Sequence, residues 1–198
     1  MKIFKSFIII FIIGLISVSC NESDNVIDQV MEGTQRDGVV LRTLNADEIP
    51  SLLTLTNDNN NHVTFVIEVQ EGQGDFVPDF KEVRVYASLY QDQELTMPLE
   101  DSEGNPSDEI LLNTVPSSEF TVTGDHGLPV GNIEVVTQDV VDLYPDDLVY
   151  TTPAFMVIRL EIEMTDGRVY TDDAGSGMVA SSAYFNSPFK YIFVYINT

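Results

Sequence analysis

The segment Asp101-Ser102-Glu103-Gly104-Asn105, followed by Asp108 and Glu109, gathers oxygen donors on turn-forming residues. Hard cations such as Ca2+ take roughly six to eight such oxygens from carboxylates, amides and backbone carbonyls in loops. The spacing is not that of an EF-hand. The glycine falls at the fourth position of the segment, and Leu112 stands at the twelfth, where that motif needs a bidentate glutamate. Asp101, Glu103, Asn105 and Asp108 are therefore candidate Ca2+ ligands, set against the plainer reading that they are solvated loop acids. Asp142, Asp146 and Asp147 form a second acidic cluster and Asp172-Asp173 a third, open to the same two readings.

Catalytic chemistry has few carriers. His62 and His126 are the only histidines, so a nucleophile–base–acid triad has little to draw on. Gly175-Ser176-Gly177 lacks the spacing of a nucleophile elbow, and Asp125-His126-Gly127 reads as a turn. Neither a P-loop nor a dinucleotide-binding glycine motif occurs. Paired carboxylates can hydrolyse glycosides, but among 32 acids chance pairs are certain, and the chain has no tryptophan to line a sugar cleft. The expectation is a protein that is not an enzyme and needs no cofactor beyond that candidate Ca2+.

Aromatic side chains offer a different chemistry, stacking against sugar rings or burial in a protein interface. Phe189, Tyr191, Phe193 and Tyr195 recur at a spacing of two and share one face of a strand, while Ile192, Val194 and Ile196 cover the other. That stripe is either core or a binding platform. Tyr86, Tyr90 and Tyr191 are the candidate binding residues.

The elements that must hold these residues are strands. Val63, Phe65, Ile67 and Val69 alternate within His62–Glu71; Val83, Val85, Ala87 and Leu89 do so within Glu82–Tyr90; Met156 to Met164 repeats the pattern. Val39–Leu44, Leu52–Thr56, Glu119–Thr123, Asn132–Thr137 and Phe189–Ile196 are shorter candidates. Asp166-Gly167 predicts a tight hairpin into Arg168–Thr171, and Asp139–Tyr144 one helical turn stopped by Pro145. Residues 92–118, broken by Pro98, Gly104, Pro106 and Pro116, read as irregular. One solvated face per strand points to antiparallel sheets. The economical fold is all-β, an immunoglobulin-like antiparallel β-sandwich of about seven to nine strands, without the Cys–Trp–Cys core of antibody domains.

Charge limits the partners. Thirty-two acids against nine bases give a formal −23. That excludes a nucleic-acid binder held by phosphate contacts and a basic patch for anionic lipid. The N-terminus supplies another route to a membrane. Lys2 and Lys5 precede an apolar run, Phe7–Val18, that would reach about 18 Å as a helix, short of a ~30 Å hydrocarbon core. This is the shape of a secretory signal. It ends at Ser17-Val18-Ser19-Cys20, and Cys20 is the only cysteine in the chain. A disulfide framework within the chain is thereby excluded.

These residues resemble a bacterial lipoprotein precursor, in which the cysteine becomes the lipidated first residue of the mature chain. The resemblance implies a signal peptide over residues 1–19, a lipidated Cys20 with an acidic tether over 20–37, and a single β-sandwich domain over 38–198. Cleavage would leave 179 residues with 7 bases and 32 acids, a net −25. Several fatty chains at ~0.8 kcal/mol per buried methylene would make the anchor effectively permanent. Asn21-Glu22-Ser23-Asp24-Asn25 looks like the acidic signal that directs lipoproteins of Bacteroidota to the outer face of the outer membrane.

Further along, Leu128-Pro129, the Asp166-Gly167-Arg168-Val169-Tyr170 hairpin and Phe185-Asn186-Ser187-Pro188-Phe189-Lys190-Tyr191 resemble a group of Bacteroidota surface lipoproteins. Val39–Leu44 and Val83-Arg84-Val85-Tyr86 extend that likeness. Such proteins are often encoded beside outer-membrane nutrient importers of the starch-utilisation type and their lid lipoproteins. The resemblance implies a place in the outer membrane and a transporter or lid lipoprotein as partner; no catalytic residue carries over. The sequence thus leads to an accessory or binding subunit of a nutrient-import or surface assembly, or to a direct surface glycan-binding module using exposed aromatics.

Overall fold

The computed structural model describes residues 38–56, 60–71, 79–123, 126–173 and 187–196. Cys20, its tether and the apolar run before them lie outside the described residues. The described strands are β1 (Val39–Thr43), β2 (Leu52–Thr54), β3 (His62–Glu71), β4 (Phe80–Tyr90), β5 (Ile110–Pro116), β6 (Thr121–Thr123), β7 (Leu128–Val136), β8 (Ala154–Met164), β9 (Val169–Tyr170) and β10 (Lys190–Ile196). One short helix, α1 (Thr137–Val141), follows β7.

Two sheets result. One has the order β1-β3-β7-β6; the other runs β2-β10-β8-β4-β5, with β9 continuing alongside β8. All pairings are antiparallel except β2 with β10, which is parallel. This is the immunoglobulin strand order, with its first strand divided between the two sheets and an extra edge strand beside β4. The described strands number ten rather than seven to nine. The added strand is β5, which falls in the stretch read as irregular. Its pairing shifts register at Val85/Tyr86 of β4, so the apolar residues Ile110-Leu111-Leu112 show no clean alternation.

Alternation decides which side of each long strand is dry. Val63, Phe65, Ile67 and Val69 of β3 face Val83, Val85, Ala87 and Leu89 of β4 and Met156 to Met164 of β8 across a common core. Apart from Ala87, each such side chain contributes about 1.5–3 kcal/mol relative to exposure. The aromatic stripe of β10 belongs to this core: Phe189, Tyr191, Phe193 and Tyr195 are all buried, and the Phe65 and Tyr191 ring centroids lie 4.4 Å apart between the sheets. Turn chemistry agrees with the sequence at the β8–β9 hairpin. Gly167 adopts φ +88°, a region that costs a residue bearing a Cβ, and the Gly167 N–H donates to the Met164 carbonyl at 3.0 Å.

Candidate binding face

The outward side chains of β4, β8 and β10 build a surface in cross-strand rows. Tyr90, Phe155 and Val194 form the first row, with Leu52 of β2 beyond them. Ser88, Val157 and Ile192 form the second, and Leu111, Tyr86, Arg159 and Lys190 the third. Arg84 with Glu161, then Glu82 with Glu163, complete the face. Cross-strand neighbours at this spacing interact directly. One half of the face is therefore apolar and the other is ionic.

The cations of the ionic half are all paired within it. Arg84 bridges Glu82, Glu161 and Glu163; Lys81 reaches Glu163 at 3.1 Å; Lys190 meets Asp172. Arg159 forms a fork on Glu109, with Nε to Oε1 at 2.8 Å and Nη2 to Oε2 at 2.7 Å. That hydrogen bonding holds its guanidinium charged well above its ordinary pKa, against the opposing effect of burial. The Arg159 guanidinium also lies 4.4 Å from the Tyr86 ring centroid, a cation–π contact that covers one ring face.

In the apolar half Ile192 is exposed, Tyr90, Phe155 and Val194 are half-buried, and Ser88 and Val157 are buried. Ile192 is 46% exposed. Ser51, Gln93, Phe155, Ile192 and Val194 line a shallow cavity of about 310 Å3 at its end.

Of the three candidate tyrosines, Tyr86 and Tyr90 lie on this face and half-buried. Tyr191 does not. It points into the core, its hydroxyl pairs with Thr43 Oγ1, and burial pushes its pKa up to about 12. A surface role for Tyr191 is thus corrected, because the opposite face of β10 is the wet one. Phe155, Ile192 and Val194, the apolar half of the face, were not among the candidates. Their signal was present in the sequence: β10 is apolar on both sides, and only one side can face the partner sheet.

The Ca2+ candidates do not form a cage. Asp101 Oδ1 accepts the backbone N–H groups of Glu103 at 2.9 Å and Asn105 at 2.8 Å, and Oδ2 accepts from Asn105 Nδ2 at 2.8 Å. Those bonds, led by the Asn105 side chain, hold the Asp101 carboxyl below the usual range. The loop thus uses this carboxylate as its own cap. Among the described residues no group of three or more His, Cys, Asp or Glu side chains is placed to hold a metal ion, so the set Asp101, Glu103, Asn105 and Asp108 is not assembled as a metal site.

A second polar cluster sits on the other sheet. Glu68 is buried on the outward side of β3, with Arg42 Nη1 at 3.4 Å and His126 Nδ1 at 3.0 Å. His126 therefore does more than turn the chain: it covers a carboxylate that the strand pattern assigned to solvent. Comparison with known protein families, characterised proteins and solved structures yields no match to the chain.

Proposed function

We propose that this chain is a lipid-anchored, non-catalytic binding subunit that docks a protein partner through the outer face of the β2-β10-β8-β4-β5 sheet. The reading of Cys20 as anchor rests on its place after the apolar run and on its being the only cysteine. An outer-membrane location facing the cell surface, beside a nutrient importer or its lid lipoprotein, is the setting that the sequence resemblance implies. The observation that carries the binding role is the apolar half of the face, where exposed Ile192 stands with half-buried Phe155 and Val194 beside an ion-paired half. Interface cores are depleted in charge and enriched in aromatic and apolar contacts, and an apolar patch on a strongly acidic protein calls for a function.

Direct glycan binding is the second reading, supported by the placement of Tyr86 and Tyr90 on the same face. The Arg159 contact weakens it, because a ring covered on one side offers less to a sugar. Two measurements separate the claims. With Cys20→Ala, the protein should leave the membrane fraction at high salt; persistence there would refute lipid anchoring. Titration with oligosaccharides should leave tyrosine fluorescence unchanged; saturable quenching that disappears in Tyr90→Ala would transfer the face to glycan.

A further inference from the structure

We infer that the free edge of β5 is a strand-addition site for an extended, basic segment of a partner protein. β5 ends the second sheet, and among the described residues its far side is unpaired. Edge strands present a row of free N–H and C=O groups, and proteins ordinarily blunt them with short length or charge. β2 and β6 are three residues each, and β1 carries Arg42. β5 runs seven residues, Ile110-Leu111-Leu112-Asn113-Thr114-Val115-Pro116, without a charge; its proline stands at the last position, so the six residues before it keep their N–H groups. The Thr114 N–H is held by Asn113 Oδ1 at 2.7 Å, a side chain that can yield to an incoming carbonyl. Backbone pairing of this kind supplies affinity, while pockets for alternate side chains supply specificity.

A pocket stands at the start of this edge. Ile110, Tyr144, Leu148, Pro106 and Pro145 give an apolar lining to a cavity of about 260 Å3, with Asp101 and Asp108 beside them. Ser107 lines the same cavity, and its Oγ is buried without a hydrogen-bond partner. The Tyr144 hydroxyl is already committed to the Ala87 and Asp108 carbonyls at 2.9 and 3.1 Å. The space suits a side chain with an apolar stem and a cationic head, a lysine or arginine, whose N–H groups would meet the Asp101 and Asp108 carboxylates. Charge selects the same occupant. The chain carries −23, and each of the six described basic side chains is already held by a carboxylate. A second copy would bring the same acidic surface to this edge. A basic strand would neutralise it.

The test uses the full chain in mild detergent and three synthetic peptides: an alternating lysine–valine decapeptide, its glutamate–valine counterpart, and the lysine–valine peptide N-methylated along one backbone edge. The lysine–valine peptide should bind, protect the β5 amides from hydrogen exchange, and weaken at least tenfold on N-methylation. Thr114→Pro, which removes an edge N–H, should weaken it similarly. The N-methylated peptide decides the matter if that variant does not fold. Protection outside β5, equal binding of the acidic peptide, binding indifferent to N-methylation, or self-association of the chain through β5 would each overturn the proposal. Because β5 is an edge and Ile192 lies on the open face, failure here leaves the docking reading of that face to its own test.

Discussion

Tyr191 shows how one side chain's meaning depends on the sheet it faces. Its phenol is buried with a hydrogen bond to Thr43, and burial raises its pKa to about 12 from an ordinary 10.0. Burial also raises Tyr144 and Tyr195. Below pH 10 both the folded and the unfolded chain hold these protons, and the stabilisation is complete. Above it the unfolded chain ionises first, so stability falls as pH rises toward the folded value, by about 2–3 kcal/mol for Tyr191 alone. Denaturant melts across that window should show this decline, and Tyr191→Phe should flatten it; an identical decline in the variant would contradict the burial account. At neutral pH the same substitution should cost about 1–3 kcal/mol, since it strands the Thr43 hydroxyl. The spacing of two in β10 was legible in the sequence. Its direction was not, because both sides of β10 are apolar and contacts with distant strands, Phe65 of β3 and Thr43 of β1 among them, mark which side is core. Glu68 has a related history: it stands on the outward side of β3, as alternation requires, yet Arg42 and His126, from elsewhere in the chain, cover it.

At the scale of elements, β3, β4 and β8 were readable because each has one wet face, and alternation reports that directly. β5 was hidden by its lack of a consistent face and by the prolines around it. β7 extends further back than its reading from Asn132, because Leu128-Pro129-Val130-Gly131 pairs with β6 and β3 despite its turn-like composition. Gly131 explains part of that composition. A Cβ there would lie 2.6–2.9 Å from three atoms of the Phe120 ring, which in turn packs edge-on against Phe80 at 5.0 Å. Gly131→Ala must push that ring away and should cost about 1–3 kcal/mol. A lowered melting temperature, partly restored by Phe120→Leu in the same chain, is the expected result; an unchanged one would show that the ring moves freely. The acidic loop 101–109 has a similar lesson. Its composition suited Ca2+, but the Asp101 carboxylate closes on its own backbone.

For the molecule as a whole, sequence pattern reached the two-sheet sandwich because hydrophobic periodicity and turn residues agree along most of the chain. It reached the binding face only in part. Tyr86 and Tyr90 were named, whereas the rows joining them to Phe155, Val194 and Ile192 exist only once β4, β8 and β10 are set side by side. The charge distribution has the same character: the bases are visible in the sequence, but the closed pairs that Lys81, Arg84, Arg159 and Lys190 make on and around one face are a product of topology. That arrangement leaves an ion-paired, half-apolar surface on a protein of −23. The account's central claim is that a protein partner covers it. The direct test is capture from mildly solubilised outer membranes by the full chain and by Ile192→Asp, with melting temperatures compared to establish that both are folded. The account predicts a stoichiometric partner that the wild-type chain retains and Ile192→Asp loses. No partner, or a partner held equally by both, would contradict it.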